Sequence, residues 1–126
     1  MQTKDCPPNR GNPNYLARVR EATIENLPCG DRPRVVALFR SFEKVLGPVG
    51  AAKALHLLAP RLFPLWDGAI ARKYRVGLKK AGQNGEGYWA FMQICRRQCE
   101  ALGAMDGNPL KALDEYNYGK YTKEWF

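Results

Sequence analysis

Apolar side chains between residues 35 and 46 recur every three or four positions, which is the spacing of one face of an α-helix. They are Val35, Leu38, Phe39, Phe42, Val45 and Leu46, and Gly47 follows them directly. Other segments show the same helical spacing, and no alternating run of β-branched residues is long enough to form a sheet. The sequence therefore predicts an all-α fold, a small helical bundle.

Proline, glycine and capping residues divide this bundle into six predicted helices. We expect them over about 13–27, 32–46, 49–59, 67–74, 87–102 and 109–116, with Asn12, Asp31 and Asn108 as N-caps and Gly103 as a helix end. A basic loop is expected over 76–87, and the aromatic residues 117–126 are expected to pack back on the body. The 126 residues fit a single domain over 12–126, preceded by a Pro/Gly/Asn-rich segment, 1–11, that is predicted to be disordered.

Basic side chains are concentrated in one segment of the chain. The net charge is +8, and residues 61–80 contain six basic side chains and one acidic side chain. The six are Arg61, Arg72, Lys73, Arg75, Lys79 and Lys80. Such a cluster predicts contacts with the phosphates of nucleic acid, here the backbone of duplex DNA. A solvated basic face, or a surface for an acidic protein partner, is the alternative.

The cysteines and the N-terminus point to a reduced, cytoplasmic protein. Residues 1–14 hold no apolar run of the kind found in a secretory signal, and no segment is apolar enough to span a membrane. Cys95 and Cys99 lie on the apolar face of the fifth predicted helix, so we expect core thiols there and no metal site. No cofactor is predicted.

The sequence LGPVG at 46–50 joins the second and third predicted helices. A helix that begins after a glycine turn presents unpaired backbone N–H groups, and its dipole favours an anion at that end. Gly47, Val49 and Gly50 are therefore predicted to contact a DNA phosphate. A plain corner between two helices is the alternative interpretation of the same residues.

The segment FPLWDGAIARKYRVGL at 63–78 places an apolar residue, Ile70, three positions after Asp67, and Arg72 five positions after it. Together with the turn, residues 45–78 resemble the helix-hairpin-helix DNA glycosylases of the endonuclease III superfamily. The resemblance implies a DNA-binding helical fold that acts in base-excision repair. It also implies that Asp67 activates a water or an amine and stabilises the sugar cation. An N-cap at the start of the fourth helix is the alternative role for Asp67, and the two roles are compatible.

Two further polar residues are candidates for catalysis. Ala52 stands where lyase members of that superfamily have a nucleophilic lysine, and Lys53 follows it. Lys53 and His56 share a helix face, so Lys53 is the candidate Schiff-base nucleophile and His56 its neighbour. A solvated lysine and a histidine bonded to a backbone carbonyl are the alternatives. Besides a glycosylase, the sequence is compatible with a non-enzymatic nucleic-acid-binding module and with an interaction protein that has an acidic partner.

Overall fold

A computed structural model describes residues 15–103 and 108–126 of the chain. Over these residues it contains five α-helices: α1 (Tyr15–Val19), α2 (Arg32–Leu58), α3 (Gly68–Lys73), α4 (Gly85–Leu102) and α5 (Pro109–Asn117). Two short 3₁₀ turns, Ile24–Asn26 and Cys29–Asp31, precede α2, and a π-helical turn, Tyr118–Thr122, extends α5. No strand occurs in the described ranges, and the predicted all-α fold is confirmed.

The centre of the core is a group of aromatic rings between α2 and α4. The rings of Phe39 and Tyr88 stack with centroids 4.5 Å apart, and the Trp66 ring meets the edge of Tyr88 at 5.1 Å. All three side chains are almost completely buried, and the Tyr88 hydroxyl donates a 2.6 Å hydrogen bond to the Pro64 carbonyl. Burial and ring contacts of this kind stabilise a core strongly. They also fix the segment 64–67 against α4.

The first predicted helix is much shorter in the structure. It was expected to reach residue 27, but α1 ends at Val19 and a 3₁₀ turn follows at Ile24–Asn26. Its predicted beginning, and the predicted disordered segment 1–11, lie outside the described residues. The Ile24 N–H donates to the Arg61 carbonyl at 2.9 Å, and both Ile24 and Leu27 are buried. These tertiary contacts replace the helical hydrogen bonds that a continuous helix would make.

Helix α2 combines the second and third predicted helices into one element with a break. Gly47 has φ 76° and ψ 174°, a backbone conformation that side-chain-bearing residues rarely adopt. We call residues 32–46 the first arm of α2 and residues 48–58 its second arm. The predicted apolar stripe of the first arm holds only in part. Phe39 is buried, whereas Val45 is 82% exposed and Leu46 is 48% exposed, because the core does not extend to this end of the arm.

The predicted helix ends agree with the structure at two places and differ at a third. The Asn108 side chain accepts a backbone N–H of α5 at 3.2 Å, and Gly103 ends α4 with φ 75°. Asp31 occupies the N-cap position of α2, but its side chain makes no cap bond. Its carboxylate instead accepts hydrogen bonds from the Tyr15 hydroxyl and the Arg34 guanidinium, both at 3.0 Å.

The basic loop before α4 is held by a buried polar contact. Asn84 donates from Nδ2 to the buried Glu43 carboxylate at 2.7 Å, and its Oδ1 accepts the Lys79 N–H at 2.7 Å. The same Nδ2 lies 3.0 Å from the Lys80 carbonyl oxygen. Helix α4 begins at Gly85, directly after this residue, rather than at 87 as predicted. A side chain inside the body therefore fixes the backbone that carries Lys79 and Lys80.

The C-terminal residues pack on α3 over part of their length. Thr122 donates a 2.6 Å hydrogen bond to Asp67, and the Tyr121 ring lies 6.4 Å from the Tyr74 ring in an edge-on contact. Trp125 is 69% exposed, so the expected packing does not extend to the end of the chain. In the part of the chain that the structure describes, no helix combines the length and apolar character needed to cross a membrane.

Candidate functional site

A cleft of about 340 Å³ lies between the second arm of α2, the beginning of α3 and the end of α5. We call it the Asp67 cleft. Among the described residues, five apolar or aromatic side chains line it: Val49, Leu65, Trp66, Ile70 and Tyr118. Four charged side chains line it as well: Lys53, Asp67, Asp114 and Glu115. Its volume lies within the range of small-molecule sites, about 300–1,000 Å³, and such sites combine apolar walls with a few polar groups.

Asp67 is both an N-cap and a lining residue of this cleft. Its Oδ1 accepts the Ile70 N–H at 2.9 Å, which satisfies one of the free amides at the beginning of α3. Its Oδ2 accepts the Thr122 hydroxyl at 2.6 Å. The backbone at Asp67 is extended, so the side chain faces back over the first turn of the helix. The cap predicted from the sequence is therefore present, and the carboxylate lies beside the cleft.

Lys53 lines the same cleft from the second arm of α2. It is exposed, whereas the preceding Ala52 is completely buried. A lysine at position 52 would thus point into the core, and position 53 is the one that reaches the cleft. The structure brings Lys53 and Asp67 to one concave surface, as the catalytic hypothesis requires.

His56 does not line the cleft. Its Nδ1 lies 3.0 Å from the Phe63 carbonyl oxygen, which is the backbone-bonded role considered as the alternative. The same nitrogen is 3.7 Å from Oδ2 of Asp114. His56 therefore lies beside Asp114, a residue of the cleft wall, and outside the cleft itself.

Asp114 is the polar residue of the cleft that the sequence interpretation missed. It is 7% exposed, and its Oδ1 accepts the Leu65 N–H at 3.1 Å. Its Oδ2 has no hydrogen-bond partner among the described residues. Burial raises the pKa of this carboxyl to about 7, the Leu65 amide opposes that rise, and the charge of Glu115 adds to it. A signal was present in the sequence, because Asp114 is four residues after Leu110 on the apolar face of its helix.

The turn residues form a close-packed corner beside the cleft. A Cβ atom on Gly50 would lie 2.8 Å from Cβ of Leu46, so only glycine fits where the two arms meet. The Trp66 indole N–H donates to the Pro48 carbonyl at 3.1 Å and ties the cleft wall to the turn. Val49, predicted as a phosphate contact, lines the cleft.

The predicted basic residues are exposed but divide among separate concave surfaces. Arg72 and Lys73 line a cleft of about 390 Å³ together with Lys120, and we call this the basic cleft. Arg75 and Lys79 line another, while Arg61 lines a third beside Glu25. Lys80 is exposed in the loop next to Lys79. Lys120 was not predicted as a member of this cluster, because it is distant in sequence from Arg72 and Lys73. The π-helical turn brings it to α3.

The thiols of α4 are buried, as predicted. Cys95 and Cys99 are completely inaccessible, and burial raises the pKa of both, that of Cys99 to about 12. Within residues 15–103 and 108–126 there is no group of three or more His, Cys, Asp or Glu side chains placed to hold a metal ion.

Comparison with known proteins does not assign the chain to a family. The chain has no significant match to any protein-family model, any curated protein or any solved structure.

Proposed function

We propose that this chain binds the backbone of duplex DNA and receives a single nucleobase in the Asp67 cleft, as a small DNA glycosylase of the helix-hairpin-helix type. One observation carries the proposal. Lys53 and Asp67, which are 14 positions apart in the sequence, line the same concave surface, and this surface begins at Val49 in the glycine turn. A base that leaves the duplex beside the turn would enter a space of the right size between these two side chains.

The DNA contacts in this proposal come from the turn and from the basic residues of the basic cleft. Backbone amides at the beginning of the second arm of α2, at Val49 and Gly50, would bind one phosphate. Arg72, Lys73 and Lys120 would contact others through the basic cleft, since guanidinium and ammonium groups are the usual phosphate donors. DNA binding and base recognition would lie close together, because Asp67 caps the same helix that carries Arg72 and Lys73.

The chemistry proposed for the cleft is cleavage of the bond between a base and its sugar. That bond breaks with its electron pair on the base, which takes a proton from solvent, and the sugar is left with a cation-like C1′. A water oxygen bonds to C1′ and gives up a proton to Asp67, whose oxygens each retain a lone pair beyond the bonds to Ile70 and Thr122. In the lyase variant of this reaction, the amine of Lys53 would take the place of that water.

The DNA-binding half of the proposal is tested by the salt dependence of binding. Each phosphate that is neutralised contributes about −0.9 to the slope of log K against log salt concentration. We expect a steep slope for wild type and a shallower one for the double variant Arg72→Gln/Lys73→Gln. The matched control, Lys44→Gln/Arg97→Gln, removes the same charge from exposed positions outside 61–80. Equal slopes for the two double variants, or no binding by wild type at low salt, would contradict the proposal.

The catalytic half is tested by release of base from a panel of duplexes with single damaged bases. We expect wild type to release at least one base and Asp67→Asn to release none, since an amide cannot accept the proton of water. Borohydride trapping separates the two variants of the reaction. Loss of trapping in Lys53→Gln identifies the amine as the nucleophile, whereas base release without trapping identifies water.

A non-enzymatic DNA-binding module is the second candidate function. It is favoured by the two hydrogen bonds that already engage Asp67, because they give the carboxylate a complete structural role. Salt-dependent binding of DNA, without release of any base from the panel, would decide for this candidate.

A further inference from the structure

The carboxyl group of Asp114 has hydrogen-bonding capacity that the described part of the protein does not use. Oδ2 is buried, lacks a partner there, and belongs to a residue that lines the Asp67 cleft. Buried polar atoms are nearly always hydrogen-bonded in folded proteins, so an exception at the wall of a cleft calls for an explanation. A bound ligand atom is the explanation that also accounts for its position.

His56 lies close to Asp114, but its Nδ1 does not accept a hydrogen bond from the carboxyl group. The Phe63 carbonyl oxygen lies 3.0 Å from Nδ1 of His56, and since a carbonyl only accepts hydrogen bonds, Nδ1 must carry the hydrogen. The 3.7 Å from Nδ1 to Oδ2 of Asp114 exceeds hydrogen-bonding distance. His56 therefore leaves Oδ2 of Asp114 without a hydrogen-bond partner among the described residues, and Asp114 is a residue of the Asp67 cleft wall.

We propose that Asp114 is the residue of the Asp67 cleft that recognises the bound heterocycle, through a hydrogen bond from its carboxyl Oδ2 to a ring nitrogen or carbonyl oxygen. The ligand class is a planar nucleobase-like ring with an acceptor atom at its edge. This inference rests on the proposed function for the location of the base, and it adds the group that selects the base.

The surroundings of Asp114 are consistent with a carboxyl group that keeps its proton near neutral pH. Burial raises its pKa to about 7, and Glu115 on the same helix contributes in the same direction. Tyr88 and Cys95 on α4 interact with Asp114, and the pKa of each is raised by burial, so both stay neutral in this range. The other titratable groups around it are His56 at 3.7 Å, Cys99 on α4, and Lys53, Asp67 and Tyr118, which line the same cleft.

Two compounds of the same shape test the inference. Indole and 7-azaindole differ by one ring atom, which is a C–H in the first and an acceptor nitrogen in the second. Their binding would be followed by NMR at the Leu65 amide, which donates to Asp114, and at the Trp66 indole N–H in the cleft wall. If only the protonated carboxyl binds, the apparent Kd for 7-azaindole rises about tenfold per pH unit above the pKa of Asp114. The Kd for indole stays constant.

Variants identify the titrating group. Asp114→Asn keeps a donor and an acceptor in the same shape, so it should bind 7-azaindole with no pH dependence. Asp114→Leu should lose the preference for 7-azaindole over indole. His56→Asn removes the imidazole and retains an N–H, and the pH dependence should persist in it.

Three results would overturn the inference. They are a pH-independent Kd for 7-azaindole in wild type, a pH dependence that disappears in His56→Asn, and the absence of binding by either compound. DNA binding and base release, measured on the same preparation, decide the proposed function separately. If the protein binds DNA and releases a base, but its Kd for 7-azaindole does not depend on pH, the proposed function stands. Asp114 is then excluded as the group that selects the base.

Discussion

The two aspartates of the cleft, Asp67 at the beginning of α3 and Asp114 on α5, have opposite local environments. Both oxygens of Asp67 accept hydrogen bonds, one from the Ile70 amide and one from the Thr122 hydroxyl. Asp114 accepts one bond, from the Leu65 amide, and its second oxygen is buried without a partner among the described residues. The hydrogen bonds of Asp67 connect α3 to the C-terminal turn, whereas the burial of the second oxygen of Asp114 costs free energy.

This difference shows which residue the fold alone does not explain. An aspartate at an N-cap stabilises its helix whether or not the protein has a ligand. A buried carboxyl without a full set of partners costs free energy, and such costs concentrate at sites of function. Asp67, which the sequence motif identifies, therefore also has a structural role. Asp114, which belongs to no motif, is the residue whose burial a bound ligand would explain.

The largest expected effect concerns the stability of the protein as a function of pH. The pKa of Asp114 is about 7 in the folded protein and about 3.8 without its surroundings, so the folded state binds the proton more tightly than the unfolded state. The free energy of unfolding should therefore fall as the pH rises between these values, by about 4 kcal/mol in all. Denaturant unfolding of wild type at a series of pH values from about 3 to about 8 measures this decrease.

The matched variant for this prediction is Asp114→Asn. It retains an oxygen that can accept the Leu65 amide but has no titratable group, so its free energy of unfolding should lack that fall. Above the pKa of Asp114 the variant should be more stable than wild type. If the free energy of unfolding varies with pH in the same way for wild type and Asp114→Asn, then the pKa of Asp114 is not raised in the folded protein.

A smaller effect is expected at the other aspartate. Asp67→Ala removes the N-cap and should lower the free energy of unfolding by about 0.5–2 kcal/mol. Asp67→Asn should be nearly neutral, because asparagine caps as well as aspartate and the Thr122 hydroxyl can accept a hydrogen bond from an amide. Thermal or denaturant unfolding of both variants measures the difference. A loss in Asp67→Asn as large as that in Asp67→Ala would mean that the negative charge, not the cap, stabilises α3.

The smallest effect is expected from the contact between Asp67 and the C-terminal turn. Thr122→Val keeps the shape of the side chain and removes the hydroxyl that donates to Asp67. The loss should be about 0.5–1.5 kcal/mol at neutral pH, the usual contribution of one hydrogen bond. Thr23 offers a control, because it makes no side-chain cap bond at the beginning of its 3₁₀ turn, and Thr23→Val should leave stability almost unchanged. If Thr122→Val and Thr23→Val lose the same free energy of unfolding, the hydrogen bond from Thr122 to Asp67 does not stabilise the protein.

The sequence predicted local features of the fold better than tertiary ones. The caps at Asp67 and Asn108 were predictable because the N–H groups they bind lie three residues away. The early end of α1 was not, because it depends on a hydrogen bond between Ile24 and Arg61. Helical periodicity placed Val45 with the core side chains, but periodicity contains no information on where the opposing helix ends.

The candidate site shows the same division. Lys53 and Asp67 could be paired from a motif that lies within a single stretch of sequence. Asp114 reaches the cleft only because α5 packs beside residue 65, and Lys120 reaches Arg72 only because the C-terminal turn packs on α3. The spacing of Asp114 from Leu110 indicates that its side chain is buried, but no sequence spacing indicates which segments α5 and the C-terminal turn pack against, so both contacts required the folded structure.

The most direct test of the difference between the two aspartates uses one amide as a reporter for each. The Leu65 N–H donates to Asp114 and the Ile70 N–H donates to Asp67, so their NMR resonances report on the two carboxyl groups separately. The titrant is a short duplex with a single mismatched base pair, because an unpaired base leaves the stack at lower cost. We predict that the Leu65 resonance shifts in proportion to bound DNA, while the Ile70 amide keeps its hydrogen bond to the cap. Saturable DNA binding that leaves the Leu65 resonance in place would contradict the account.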